Sequence, residues 1–488
     1  MSPDSGSDLT FAQAMPSEIV GEQPLVVMVC GWITINSEPV ESIVLEVDGE
    51  SLSTLILDQH VPPKLWLSKN RATSYAGLEP DTSYQGFSGF VQLPGRETGH
   101  RHIVRIGIVD RATADTRWSE HLIDRIGVEC ANPMQRGLEP HVAICMGVYN
   151  PDEPVFARQI DSIVAQTEQN WICIVNDDGS DSKHVEIIHR VIGNDKRFFY
   201  FRNSDNQGFY GNFERAIARV PEGIEYIALS DQDDYWYADK IKTLLTAMSD
   251  DVLLAYSDMR IVASSGVEIE PSYWGYRKNN SSDLALMLVA NTVTGAACMM
   301  RSRLARHLLP FPPRVGDAFH DHWISCSALA MGRINYIDQP LYDYYQYGDN
   351  IIGHCAFEQN TTSKDYIEKN SNPLHYLNPV NVKSLAARFM GSGQAVYWFE
   401  CRRIESICNN INVRVHPDNS VCKIFNLFGR GILSAMALTV LNLKHFDSAR
   451  RTNNAERRLA RAYLVRSLLG LSHKNSATHI TSSSASSL

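Results

Sequence analysis

The strongest constraint on the fold of this chain is a run between residues 141 and 229 in which short apolar segments alternate with amphipathic ones. The apolar segments have the length of strands and the amphipathic ones have helical periodicity. Strands that alternate with helices form a parallel sheet with helices on both faces. The sequence predicts strands at 141–148, 171–175, 198–201 and 226–229, and helices at 154–165, 185–192 and 212–220.

A region of different composition precedes this run. Residues 1–138 contain several Val- and Ile-rich segments separated by turn signals, which is typical of a β-sandwich. We expect an accessory domain there. The alternative is a carbohydrate-binding module, whose aromatic platform would include Trp32, Trp66, Tyr75 and Tyr84.

The C-terminal part is predicted to be helical and basic. We place a helical region at 357–474 and a Ser-rich, disordered tail at 475–488. From residue 421 onwards, ten Lys or Arg stand against two acidic residues. This composition suits a helix that lies on an anionic membrane surface, and equally a helical packing element with a solvated basic face.

Length and charge restrict the class of protein further. A chain of 488 residues suits two or three domains, and a formal net charge of -10 argues against a nucleic-acid partner. The ten cysteines are scattered singly, which is typical of reduced thiols. The sequence shows no secretory signal and no apolar stretch long enough to span a membrane. We therefore expect a cytoplasmic protein, with the inner face of the cytoplasmic membrane as an alternative, and make no prediction of its oligomeric state.

Polar side chains follow three strands of the predicted sheet, at 149–150, 177–178 and 231–234. The carboxyl ends of parallel strands meet at one edge, where ligands bind. Asp231 and Asp233 are two residues apart, so in an extended segment their carboxylates point the same way. Paired carboxylates suit a hard divalent cation such as Mn²⁺ or Mg²⁺.

Further chemistry-bearing residues are predicted on either side of this motif. The carboxylate of Asp177 can accept a hydrogen bond from a pyrimidine base, and Gly295 permits close approach of a ligand to the backbone. Asp321 opens a helix-like segment, which suits an N-cap and, in an enzyme, a general base. An aromatic loop at 267–282 with Trp274 is either an acceptor-side lid or a surface loop.

Four segments lie in a fixed order at 148–150, 175–182, 206–208 and 230–234, and His320-Asp321 follows them. This ordered set resembles glycosyltransferase family 2 and its A-type nucleotide-sugar fold. The resemblance covers about 140 to 355. It implies an inverting, metal-dependent transferase that moves a sugar from a UDP- or dTDP-linked donor to a hydroxyl of a glycan or lipid-linked oligosaccharide, in bacterial surface polysaccharide or O-antigen synthesis.

The resemblance also assigns roles to individual residues. Asp321 corresponds to the catalytic base, and Asp233 and Asp231 to the metal ligands, with Asp233 the more direct one. His320 and Trp323 join Trp274 on the acceptor side. Donor binding falls to Tyr149, Asn150, Asp177, Asp178, Asn206, Gly208 and Asp231, to which the backbone argument adds Gly295.

The segment 342–353 resembles a motif of the bacterial rhamnosyltransferase-like branch of this family. That branch carries His where this chain has Tyr347. The Tyr347 hydroxyl, His354, or diphosphate and water would then complete the metal shell. The chain has no Gln-x-x-Arg-Trp motif, which favours addition of one or a few sugars.

Three other classes compete with this interpretation. A sugar-phosphate nucleotidyltransferase would carry a basic, Gly-rich loop after the first strand, whereas residues 149–153 contain no cation. A glycoside hydrolase needs only two carboxylates and no nucleotide site. A carbohydrate-binding protein would place its function in the N-terminal domain.

Overall fold

The computed structural model describes residues 9–11, 15–34, 40–51, 56–57, 84–110, 114–275, 277–316, 318–347, 396–415, 417–444, 452 and 455–468. Several predictions lie outside these residues: the aromatic platform at Trp66 and Tyr75, the role of His354, and the disordered tail at 475–488. The side chains of Trp32 and Tyr84 also lie outside the described part.

The described N-terminal part is a sandwich of two sheets. One sheet has the order β1-β3-β7-β6 and the other β2-β9-β8-β4-β5. The predicted β-sandwich is therefore confirmed. Its strands are β1 (Leu9–Phe11), β2 (Glu18–Val20), β3 (Leu25–Thr34), β4 (Val40–Val47), β5 (Glu50–Ser51), β6 (Ile56–Leu57), β7 (Tyr84–Leu93), β8 (Arg101–Asp110) and β9 (Thr116–Ile126).

Strand β3 is buried on both faces, which explains its continuous apolar sequence. Leu25, Val27 and Val29 point into the core between the two sheets. Met28 and Cys30, on the other face, belong to the large core of the rest of the molecule. The sandwich therefore shares a hydrophobic interface with the following domain.

The central domain contains a mixed sheet with the main order β12-β11-β10-β13-β17-β15-β18-β14. Strands β10 to β13 are parallel where they pair, whereas β17 is antiparallel to both β13 and β15. The strands are β10 (Val142–Val148), β11 (Trp171–Asp177), β12 (Phe198–Arg202), β13 (Tyr226–Ser230), β14 (Tyr235–Trp236), β15 (Val252–Ala263), β16 (Glu268–Glu270), β17 (Cys298–Arg301) and β18 (Arg333–Gln346).

Helices connect these strands as the alternating pattern predicted. Asp152 caps the first helix by accepting from the N–H of Val155 at 3.3 Å, and Pro154 stands in its first turn. Asp181 caps the second through the N–H of His184. The helices are α1 (Glu153–Val164), α2 (Ser182–Ile192), α3 (Gly208–Ala218), α4 (Lys240–Thr246), α5 (Leu284–Val289), α6 (Ser302–Leu308) and α7 (His320–Met331).

The C-terminal part is helical in the residues that are described, as predicted. One turn of π-helix (Tyr397–Cys401) leads into α8 (Arg402–Val415), and α9 (Asn419–Phe425), α10 (Ile432–Lys444) and α11 (Ala455–Leu468) follow. Among the described residues, no helix has the length and apolar character needed to cross a membrane.

Helix α8 lies between the sandwich and the central domain. The Asn410 side chain bonds both the N–H and the carbonyl of Val26 in β3, each at 2.9 Å. Arg414 donates to the carbonyl of Pro24 at 2.9 Å and to that of Leu308 at 2.8 Å. Because α8 also contacts α7, the β-sandwich is connected through one helix to the element that begins with His320 and Asp321.

Candidate functional site

The ends of β10, β11 and β13 are joined by side chain to backbone hydrogen bonds. Asn150, at a positive φ of 42°, donates its N–H to Ser180 Oγ at 2.8 Å, and its Oδ1 accepts from the N–H of Asp181 at 3.0 Å. The Gln232 amide accepts from the N–H of Tyr149 at 2.8 Å and donates to its carbonyl at 3.2 Å. The Tyr149 side chain remains 48% exposed. The predicted donor residues Tyr149 and Asn150 therefore lie at the shared edge of the sheet.

Asp177 ends β11 and is fully buried. One carboxylate oxygen accepts from the Ser180 N–H at 3.0 Å, and the other accepts from the Tyr200 hydroxyl at 2.8 Å. Arg202 adds an ion pair at 3.4 Å. A carboxylate has about four lone-pair positions, so these contacts leave capacity for a further donor. The nucleobase role of Asp177 stays a prediction.

Asp178 holds the loop that contains Asn206 and Gly208. Its carboxylate accepts from the Asn203 amide and from the Gln207 N–H, each at 2.8 Å. Burial raises the pKa of Asp178, and these hydrogen bonds lower it in part. Gly208 adopts a φ of 69°, which favours glycine, and donates its N–H to Asn206 Oδ1 at 3.0 Å. The structure thus brings three predicted donor residues together, with Asp178 arranging the loop.

The motif after β13 forms an acidic cluster. Burial, together with the charges of Asp233 and Asp321, raises the pKa of Asp231 to about 7. Burial also raises the pKa of Asp233 to about 6. Asp234 is fully buried, and its carboxylate has no hydrogen-bond partner among the described residues. The predicted metal ligands and the predicted base therefore lie near one another, with Asp234 as a further carboxylate.

Two cations border the cluster. Arg158 of α1 donates to the carbonyl of Asp233 at 2.6 Å and to the Tyr347 hydroxyl at 2.8 Å, and its guanidinium lies 3.5 Å from the centre of the Tyr345 ring. Lys240 of α4 is fully buried and donates to the carbonyl of Ala296 at 2.5 Å. Burial lowers the pKa of Lys240 to about 7. Four buried carboxyls with two cations beside them form a site where a divalent cation would favour the ionised form of the carboxyls.

Asp321 stands in the first turn of α7 and is oriented by two donors. One carboxylate oxygen accepts from the Asn291 amide at 2.9 Å, and the other accepts from the N–H of Gly295 at 3.3 Å. Burial raises the pKa of Asp321 to about 7, although the hydrogen bond from Gly295 acts in the opposite direction. A carboxyl group that changes protonation state near neutral pH suits proton abstraction.

Gly295 has a second contact, with the imidazole of His320. A Cβ at position 295 would lie 2.5 Å from His320 Nε2. The imidazole is stacked on Phe213 with 4.1 Å between ring centres. Neither ring nitrogen of His320 has a hydrogen-bond partner among the described residues, and burial lowers its pKa to about 3. His320 is therefore neutral and packs tightly beneath the backbone that orients Asp321.

The aromatic residues predicted for the acceptor side are largely buried. Trp323 is 2% exposed and donates its indole N–H to the carbonyl of Leu308 at 3.1 Å. It also lines a small cavity between α7 and α8, together with Phe319 and Ser406. Trp274 is 7% exposed. The acceptor roles of His320, Trp323 and Trp274 stay predictions.

A second cluster of potential metal ligands lies in the β-sandwich, at Asp48, His100 and His102. His102 is buried, with Nδ1 at 2.8 Å from Asp48, and its Nε2 accepts from Arg125 Nε at 2.9 Å. An acceptor role at Nε2 requires the proton on Nδ1, so His102 has no free lone pair for a metal. Arg125 also donates a hydrogen bond to the carbonyl of Gly21 at 2.7 Å. This network therefore connects parts of the sandwich.

Sequence reasoning missed four side chains of the site. Arg158 and Lys240 are single cations on α1 and α4, and the helical period alone does not show that they turn towards the end of β13. Gln232 and Asn291 are single amide side chains in loops, and no pattern in the sequence shows that they bond Tyr149 and Asp321.

Comparisons with known proteins agree with this geometry. Residues 143–309 match the family model described as glycosyl transferase family 2. An uncharacterized glycosyltransferase of Haemophilus influenzae is 37% identical over 109 residues, which are 22% of this chain and 42% of that protein. Another, of Methanocaldococcus jannaschii, is 24% identical over 196 residues, covering 39% of this chain and 66% of that protein.

A third relative is named for a specific reaction. The Escherichia coli UDP-Glc:alpha-D-GlcNAc-diphosphoundecaprenol beta-1,3-glucosyltransferase WfgD is 27% identical over 128 residues, covering 26% of this chain and 48% of that protein. The chain spans less than two thirds of the length of each of these three relatives. Residues 143–309 are therefore similar to glycosyl transferase family 2, and they have the α/β fold that the sequence predicted.

Proposed function

We propose that this protein transfers a sugar from a nucleoside diphosphate donor to an acceptor hydroxyl, with inversion at the anomeric carbon. The observation that carries the proposal is the acidic cluster of Asp231, Asp233 and Asp234 beside Asp321, at the edge of the sheet where the donor-side loops meet. A nucleotide site, a cation site and a base in one place are what a direct displacement requires.

The donor half of the site is assigned to the loops after β10, β11 and β12. Tyr149 and Asn150 border it on one side, and Asn206 and Gly208 on the other. Asp177 lies below with capacity for one more donor, which suits the N–H of a pyrimidine base. A UDP- or dTDP-linked sugar is the donor class that this arrangement favours.

The acidic cluster fits a divalent cation. Asp233 and Asp231 would hold Mn²⁺ or Mg²⁺, since the two carboxylates follow β13 two residues apart and supply the oxygen ligands that these ions prefer. When bound, the ion neutralises charge on the leaving diphosphate. Arg158 is placed to add a second positive charge, and the Tyr347 hydroxyl, where the rhamnosyltransferase-like branch has His, is bonded to this arginine.

Asp321 is assigned the role of general base. Asn291 and Gly295 fix its carboxylate, and its pKa of about 7 lets it take the proton of the attacking hydroxyl at physiological pH. One displacement then inverts the configuration without a covalent intermediate. The name of the E. coli relative supports a lipid-linked acceptor, and we extend this to bacterial surface polysaccharide or O-antigen synthesis at the cytoplasmic side of the membrane.

The test is calorimetric titration of the full chain with UDP, dTDP and GDP, each with Mn²⁺, Mg²⁺ or EDTA. We expect one pyrimidine nucleotide to bind in a metal-dependent manner, and Asp233→Asn to abolish the metal dependence. Asp250→Asn is the matched control, because that carboxylate is exposed and lies outside the cluster. If no nucleotide diphosphate binds under any metal condition, the proposal is wrong.

The base is tested separately. Asp321→Asn should lower the transfer rate by about 10²–10⁴-fold and leave donor affinity nearly unchanged, because the base acts in the transition state. A collapse of donor binding in this variant would instead make Asp321 a structural residue.

A further inference from the structure

The C-terminal helices carry an exposed apolar face. Ile432, Leu433, Met436 and Val440 of α10 are 51% to 61% exposed. At about 100° per residue, their spacing places all four within an arc of about 100° on one side of the helix. Four large apolar side chains in one exposed stripe mark a binding surface, whereas single exposed ones need no explanation.

The opposite side of α10 is the one that packs against the protein. Ala435 and Leu438 of α10 belong to the large core, and Ser434 is also buried. A helix that is apolar all round is normally covered all round. The exposed stripe is therefore not a by-product of the internal packing of α10, since the core contacts use other residues.

Helix α11 lies antiparallel beside α10, and a cation lies near each end of this pair. The Tyr463 hydroxyl accepts from the N–H of Gly429 at 3.1 Å near the start of α10, and Arg457 of α11 donates to Asn442 at 2.9 Å near its end. Arg457 is exposed there, and Arg430, which precedes α10, is exposed at the opposite end. The helix pair that presents the apolar stripe thus has an exposed arginine near each of its ends.

The charge around this face is mainly positive. Among the described residues from 417 to 468, the acidic ones are Asp418, which is exposed and caps α9, and Glu456, which is fully buried and bonded to Thr452. Lys423, in the preceding helix α9, is exposed as well. An apolar stripe with more exposed cations than carboxylates around it matches the charge of an anionic lipid surface and not that of a second copy of the same basic face.

We propose that the stripe Ile432, Leu433, Met436 and Val440 docks the protein onto an anionic lipid bilayer, with Lys423, Arg430 and Arg457 contacting lipid phosphates. The stripe enters the interface between headgroups and acyl chains, and the cations supply the preference for anionic lipid. Helix α9 contacts α5, which leads into the loop with Asn291 and Gly295. Docking therefore holds the part of the site that contains Asp321 close to the lipid surface.

The test is co-sedimentation of the full chain with phosphatidylcholine vesicles, with and without a third of phosphatidylglycerol. We expect binding to the anionic vesicles that weakens in high salt. Leu433→Glu combined with Met436→Glu should lower the partition coefficient by about 30-fold or more. Met134→Glu is the matched control, because Met134 is a 71% exposed methionine outside the stripe, and it should bind like wild type.

A second variant tests the charges without altering the stripe. Lys423→Gln with Arg430→Gln should remove most of the preference for anionic vesicles, because each cation near such a surface contributes about fivefold to binding. Wild-type protein that stays in the supernatant, or a double-Glu variant that binds like wild type, would overturn the proposal. So would sedimentation equilibrium that shows a wild-type dimer abolished by the same double variant, since the stripe would then join two copies.

The outcome is separable from that of the proposed function. Nucleotide binding is measured without vesicles, and vesicle binding is measured without nucleotide. Vesicle binding in a protein that binds no nucleotide would refute sugar transfer and support docking. Nucleotide binding in a protein that does not bind vesicles would support sugar transfer and refute docking.

Discussion

Replacing Gly295 by Ala tests whether the fit between this backbone and His320 positions the base. The added methyl carbon would lie 2.5 Å from His320 Nε2, so the imidazole would have to retreat by about 1 Å to reach ordinary contact. The ring is buried and stacked on Phe213, which leaves little space for that movement. Overpacking of this kind costs about 1–3 kcal/mol of stability.

The effect on catalysis should exceed the effect on donor binding. Gly295 donates its N–H to Asp321, and His320 immediately precedes Asp321 in the chain. A displacement of about 1 Å at a reacting group can lower the rate by about 10²-fold. We expect such a loss in the transfer rate of Gly295→Ala, with nucleotide affinity changed by less than about threefold.

A double-mutant cycle on melting temperature and transfer rate supplies the control. In a His320→Ala background the steric conflict is absent, so Gly295→Ala should cost little there. Gly127→Ala is the surface control, because its Cβ would meet only the exposed Thr98 methyl, at 3.0 Å. An equal cost of Gly295→Ala with and without the imidazole would refute the steric argument.

Two further predictions concern buried charge. Burial raises the pKa of Glu214 from 4.5 to about 7. The folded state therefore favours the protonated carboxyl. The stability that this group contributes is present below pH 4.5 and is lost as the pH rises through 7. Glu214→Gln, which keeps an acceptor for the Phe311 N–H, should raise stability by about 1–3 kcal/mol at pH 8 and by little near pH 4.5; equal melting shifts at both pH values would contradict this. Arg158→Ala should weaken metal-dependent nucleotide binding in calorimetry by about tenfold or more, because it removes a charge-assisted bond to the Asp233 carbonyl. Arg158→Lys should recover part of the loss, and unchanged binding in the alanine variant would exclude a role for Arg158 at the donor.

The elements that carry periodic signals could be predicted from the sequence. The first four strands of the central sheet and the helices between them lie where the alternation placed them. Strands β7 and β9 were not predicted, because β7 contains two glycines and β9 alternates charged with apolar residues too irregularly for its apolar face to stand out. The long pair β15 and β18 was also missed, since parallel pairing across 70 residues leaves no local signature.

The residues of the candidate site also fall into some that could be predicted and some that could not. The proximity of Asp231, Asp233 and Asp321 could be predicted because carboxylates at strand and helix termini are visible in the sequence. Arg158 and Lys240 could not, because their role depends on which helix face turns towards the end of β13. A tertiary contact of this kind has no sequence period.

The double burial of β3 limits how far the molecule can be divided. One face of this strand completes the sandwich core and the other completes the core of the central domain, while Asn410 occupies the hydrogen-bonding groups of Val26 as a neighbouring strand would. A fragment cut between the sandwich and the central domain would expose Met28 and Cys30 on one side of the cut and their apolar partners on the other. The central domain of this chain is therefore not a transplantable module, and exchange with similar proteins would have to carry β3 and α8 along with it.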